Sequence, residues 1–158
     1  MKLPKSARMH HRSLQERLFR DGSTMHEFPL RLTWNSLTHD ELASNFRNRV
    51  PQLIGPVQVL VSVPKKKRRK AVDRVLLRRR IREAFRLNRG VLLEFLKTMP
   101  QIRTLGMAFI YMKEGNADYA VIEEKLKKLL ERLPEKIEEK YRKETEEIIV
   151  EEDSPEQQ

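Results

Sequence analysis

The sequence predicts an α+β fold, a two-layer α/β sandwich in which a small mixed sheet of about four strands carries helices on one face. Three observations predict it. Residues 57–63 (VQVLVSV) form a β-branched strand, residues 106–112 (GMAFIYM) form a nearly continuous apolar one, and the stretch between them has helical periodicity. Such a strand–helix–strand unit implies that the two strands are parallel. Residues 119–133 then place Tyr119, Ile122, Leu126, Leu129, Leu130 and Leu133 on one helical face, which supplies a covering layer. At 158 residues the chain suits one domain with tails.

Taken in order, residues 1–12 read as a basic, flexible arm. The adjacent His10 and His11 have no partner at ligand spacing, so they suit a polyanion-facing arm better than a metal site. Ser13 with Glu16 three residues on reads as a capping box, opening a short helix that carries Leu14, Leu18 and Phe19 and stops at Gly22. Residues 28–34 (FPLRLTW) alternate as a strand with Phe28, Leu30, Leu32 and Trp34 on one face and Arg31 and Thr33 on the other. Trp34, the only tryptophan, is suited either to stacking a splayed base or to filling core. Residues 35–56 read as a polar loop with a helical turn around 39–46. Beyond the basic helix, VLLEFLKTM is a short apolar helix closed by Pro100. Asn116 or Asp118 can cap the last helix, which is expected to end at Pro134. The domain is therefore placed at 13–133, followed by an acidic extension at 134–158 in which Ile137, Tyr141 and Ile148 allow a weak helix and the last eight residues read as disordered. Residues 114–158 hold 15 acids against eight bases, so this tail is expected either to compete for a basic face or simply to aid solubility.

That basic face lies in residues 65–89, with 13 Lys and Arg against only Asp73 and Glu83 in a chain whose whole net charge is +10. Leu76, Leu77, Ile81, Ala84 and Leu87 share one helical side, with Phe85 at its edge. Arg74, Arg78, Arg82 and Arg86 recur at four-residue steps on the other side, joined by Arg79 and Arg89, and Asn88-Arg89-Gly90 reads as the stop. A basic run is often a solvated face, a targeting tag or a membrane-surface patch. Here the arginines keep helical spacing beside an apolar stripe, which a tag does not need, and guanidinium groups grip phosphate bidentately. A nucleic acid is the expected partner. A DNA-reading helix mixes Arg with Asn, Gln or Ser for base edges, whereas this face is almost pure Arg, which favours RNA.

The stretch SVPKKKRRKAVDRVLLRRRIREAFRLNR resembles the signature of the bacterial ribonuclease P protein component. Ser62, Val63, Lys65 and Lys66 match the strand end of that signature. Arg74 matches the first arginine of its Arg-Asn-Arg triplet, and Arg78, Arg79, Arg82, Glu83 and Phe85 match its downstream part. Val75 and Leu76 depart, standing where the family usually has Asn and Arg. The resemblance implies a left-handed β-α-β crossover. It also implies a protein subunit that binds the catalytic RNA subunit of ribonuclease P and the 5′ leader of precursor tRNA, assisting removal of the leader, with Mg²⁺ held mainly by the RNA. The expected RNA-binding residues are Lys65, Lys66, Lys67, Arg74, Arg78, Arg79, Arg82, Arg86 and Arg89; leader-cleft candidates are Phe19, Arg31, Trp34 and Ser62. The alternative is a non-enzymatic RNA-binding protein, such as a ribosomal or assembly factor.

Several function classes drop out. With no cysteine there is no thiol chemistry, disulfide framework or Cys-based zinc site, and a cytoplasmic setting fits. No apolar run reaches the roughly 20 residues of a membrane span. No paired-carboxylate motif at a strand end, metal-ligand cluster, glycine-rich phosphate loop or placed nucleophile is visible, so no catalytic or metal-binding residue is expected on the protein. An obligatory protein oligomer is not expected either.

Overall fold

The computed structural model describes residues 2–152. After a 3-10 turn at Lys5–Ala7 come α1 (Arg12–Asp21), β1 (Ser23–Glu27), β2 (Leu30–Leu37), α2 (His39–Asn45), β3 (Val57–Ser62), α3 (Ala71–Asn88), α4 (Gly90–Lys97), β4 (Thr104–Tyr111) and α5 (Tyr119–Glu152). The strands lie in the order β1-β2-β4-β3. β1 and β4 flank β2 antiparallel, and β3 joins β4 in parallel as the strand–helix–strand pattern requires. β1 has no counterpart among the expected elements. Its only inward side chain is Met25, too little to produce an alternation, and its pairing comes from the hairpin with β2.

The larger core lies between one sheet face and α3, α4 and α5. Val57, Val59 and Val61 of β3 and Leu105, Met107, Phe109 and Tyr111 of β4 meet Leu77, Ile81, Ala84 and Phe85 of α3 and the apolar ladder of α5. Phe85 is fully buried at the centre of α3's packed face, whereas Leu87 is 56% exposed; the apolar stripe is thus rotated from the one expected. The chain also covers the opposite face. There α1 and α2 bring Leu14, Leu18 and Leu42 over Leu37 and Ala108 to make a second, smaller core. α1 ends at Gly22 because the chain runs against β2 there: a Cβ on Gly22 would lie 2.8 Å from the Thr33 methyl.

Four local expectations are corrected. The arm at 1–12 is not flexible over its described part: Leu3, Ala7 and Met9 are buried, Arg8 bridges Val59 beside β3, and the Met9 N–H donates to the Val59 carbonyl at 3.0 Å. Leu3, Ala7 and Met9 are few and unevenly spaced, yet Leu3 and Ala7 join the larger core and Met9 the smaller one. The capping box belongs to Thr38 and Glu41 of α2, while Ser13 lies within α1 and its hydroxyl accepts from Asn45 at 3.1 Å. Arg89 stays right-handed, so α4 follows α3 without a left-handed glycine. The last helix does not end at Pro134, which lies inside α5. Ile137 beyond it is fully buried, and Tyr141 packs on the core and hydrogen-bonds Ser36 at 3.0 Å. A proline inside a helix removes one N–H donor and costs about 3 kcal/mol; burial of Leu133 and Ile137 on either side offsets it. The domain therefore reaches Tyr141, and the part of the acidic extension at 142–151 is an exposed helical end. Of the last eight residues, expected to be disordered, Glu151 and Glu152 instead continue α5, and the other six lie outside the described residues.

Candidate nucleic-acid interface

The basic segment is built from the end of β3 outward. The Pro64 carbonyl accepts from the N–H groups of Lys67 and Arg68 at 3.0 and 3.2 Å, turning the chain into a tight loop at 65–70. Arg68 pairs with Asp73 at 2.7 Å, and Asp73 also accepts from Asn116 at 3.2 Å, so the loop is tied to the start of α3 and to the turn before α5. The Asn116 hydrogen bond and the nearby Arg68 charge hold the Asp73 carboxyl below its usual pKa. Lys66, Lys67, Arg68, Arg69 and Lys70 line a groove of about 530 Å³ with Asp73 and Glu114.

The arginines of α3 divide by what they touch. Arg74 donates to the carbonyls of Arg68 and Arg69 at 2.9 and 2.7 Å, so it braces the loop. Arg80, absent from the expected set, donates to the Ala117 carbonyl at 2.7 Å and fastens α3 to the entry of α5. Its carbonyl partner lies 37 residues on, which no local pattern signals. Arg86 makes two hydrogen bonds to Glu83, at 3.0 and 2.5 Å. Among the described residues the side chains of Lys65, Lys66, Lys67, Arg78, Arg79, Arg82 and Arg89 make no hydrogen bond or ion pair. Arg82 is held below its ordinary pKa by burial first and then by the nearby charges of Arg8 and Arg78. Helix α3 thus presents three uncommitted guanidinium groups, at 78, 79 and 82, on an element anchored by Leu77, Ile81 and Phe85.

The leader-cleft candidates separate. Strand register places His26, Arg31, Ile110 and Ser62 in one row across all four strands on the face away from α3 and α5. The next row, Thr24, Thr33, Ala108 and Leu60, runs into the smaller core beneath α1. Arg31 and Ser62 are half-buried, and the Arg31 Nε is enclosed without a hydrogen-bond partner. Phe19 on α1 is 51% exposed rather than packed. Trp34 is the correction. It points into the larger core on the opposite face and is 3% exposed, because its parity in β2 is that of Leu30 and Leu32. It cannot line the same surface as Arg31.

Residues 3–134 match the family model described as Ribonuclease P. The chain belongs to the ribonuclease P protein family. The ribonuclease P protein component of Porphyromonas gingivalis (strain W83) is 30% identical over 131 residues, covering 83% of this chain and 85% of that protein. The ribonuclease P protein of Staphylococcus aureus superposes with a TM-score of 0.55 at 17% identity, covering 80% of this chain and 94% of that one. The Thermotoga maritima protein gives 0.55 at 21% identity, with 79% and 96% covered. These two establish the shared fold. As a ribonuclease P protein component, the chain is an RNA-binding protein of tRNA processing. The family match stops at 134, so the helical continuation to 152 lies beyond it. Among the described residues no group of three His, Asp or Glu side chains converges to hold a metal ion, and no helix is long and apolar enough to cross a membrane.

Proposed function

We propose that this ribonuclease P protein acts in the cytoplasm, docking on the catalytic RNA subunit through the 65–70 loop and the Arg78–Arg79–Arg82 face. On this reading the 5′ leader of precursor tRNA lies along the row of His26, Arg31 and Ser62, with Phe19 as an exposed ring for a base. The observation that carries the docking is the uncommitted guanidinium cluster on a helix whose other face is core. Those groups neutralise backbone phosphates and displace condensed counter-ions, so binding weakens steeply with salt. The chemistry falls to the RNA. On this reading the RNA holds the Mg²⁺ and supplies the metal-assisted hydrolysis, and the protein's contribution is binding and charge neutralisation, which lowers the Mg²⁺ concentration the RNA requires. A protein oligomer is not required. The test is RNA-subunit affinity as a function of salt: Arg78→Ala and Arg82→Ala should each lower the slope of log affinity against log salt by about one unit, and unchanged slopes for both would refute the assignment of this face.

A further inference from the structure

The segment before α1 holds a cation whose surroundings no part of the family signature describes. Leu3 and Ala7 are buried in the larger core, the Gly55 N–H donates to the Ser6 carbonyl at 2.9 Å, and Arg8 is bridged to Val59. Arg8 is therefore fixed beside the sheet rather than carried on a loose arm. Between this segment and α3 lies a groove of about 410 Å³ whose lining includes Lys2, Arg8, Arg78, Arg79, Arg82 and Arg86. Its one carboxylate, Glu83, is committed to Arg86. The Arg8 Nε is shielded from solvent and has no hydrogen-bond partner. Folding thus drives Arg8, Arg78 and Arg82 together without a neutralising group, although surface arginines usually splay into water. Leu3 and Val75 are the apolar part of the lining and no aromatic ring joins them, so the groove offers charge but no platform on which a base could stack.

We infer that Arg8, with Arg78 and Arg82, forms a clamp for one backbone phosphate of the RNA subunit. The inference rests on the RNA-binding reading above and extends it to the N-terminal segment. The clamp joins two elements far apart in sequence, and a phosphate seated in it removes the repulsion that folding leaves behind.

Two measurements on the full chain test it. Inorganic pyrophosphate, compared with chloride at matched ionic strength, should raise the unfolding midpoint of the parent protein. Arg8→Gln should lose most of that rise and, relieved of the repulsion, should not fall below the parent midpoint in chloride. In RNA-subunit binding, Arg8→Gln should lower the salt slope by about one unit, whereas Arg12→Gln, at an exposed residue paired with Glu16, should retain the parent behaviour in both assays. Should Arg8→Gln fold poorly, Arg8→Lys decides: it keeps the charge and hence the slope, and a folded Lys variant with a lowered slope overturns the clamp. A pyrophosphate effect with an unchanged RNA slope for Arg8→Gln marks a free-anion site and overturns the RNA assignment. An unchanged Arg8 slope beside lowered Arg78 and Arg82 slopes overturns the clamp alone. Unchanged slopes for all three overturn the RNA-face reading itself.

Discussion

The arginines of α3 are alike in the sequence and unlike in the fold, and their substitutions should differ accordingly. Arg74 braces the loop through two backbone carbonyls, so Arg74→Ala should disorder residues 65–70, seen as faster amide exchange of Lys67 and Arg68. Arg78→Ala removes charge without removing a hydrogen bond and should leave the unfolding midpoint in place while reducing salt dependence. Trp34→Ala belongs to the core. It should destabilise the protein by about 3–5 kcal/mol in urea unfolding, and affinities for precursor and mature tRNA should fall together; a selective loss for the precursor would place Trp34 against the leader. Val75, 45% exposed at the groove, has room for the asparagine usual in the family, so Val75→Asn should fold normally. The depressed Asp73 pKa gives a pH signature. A carboxyl whose folded pKa lies below its unfolded one contributes stability that is present above about pH 4 and is lost as the pH falls through the folded value. Asp73→Asn should therefore flatten this acid limb, and an unchanged limb would mean that Asn116 and Arg68 do not hold the carboxylate.

At the scale of elements, the strand–helix–strand unit and the apolar ladder of the last helix were legible because their periodicity is long and its burial one-sided. The boundaries were less so, for identifiable reasons. Pro134 reads locally as a stop, yet Ile137 and Tyr141 continue the ladder three and seven residues on, and tertiary contact outweighs the lost N–H. Ser13 and Glu16 have the spacing of a capping box, but sequence spacing alone did not rank them against Thr38 and Glu41, which form one. The basic face was legible as a run of arginines. Which of them stay uncommitted was not, since Arg80 and Asp73 are tied to Ala117 and Asn116 by contacts more than 35 residues apart. α5 yields a direct prediction. Deleting 134–158 removes the fully buried Ile137 along with Tyr141 and should cost about 2–5 kcal/mol or more, whereas deleting 144–158 removes, of the described side chains, only exposed ones and should leave the urea midpoint unchanged. The shorter deletion is the proper probe of whether the acidic end restrains non-specific RNA binding, because it leaves the core whole.

For the whole molecule, charge and packing are arranged on a common frame. The net charge is +10, and residues 65–89 alone contribute 13 cations against two acids, so the field is strongly one-sided along the chain. One sheet face is given to core beneath α3, α4 and α5, while the other is left partly open beside α1 for the His26–Arg31–Ser62 row. On the proposed reading this arrangement joins two polyanions, one on the arginine face and one on the sheet. The proposed division of labour gives binding to the protein and cleavage to the RNA. Its sharpest test is 5′ cleavage of a precursor tRNA at low Mg²⁺ by the same organism's catalytic RNA, with and without this protein. Cleavage should depend on the protein, and the protein alone should cleave nothing. Equal cleavage with and without it, or cleavage by the protein in the absence of the RNA, would contradict that division.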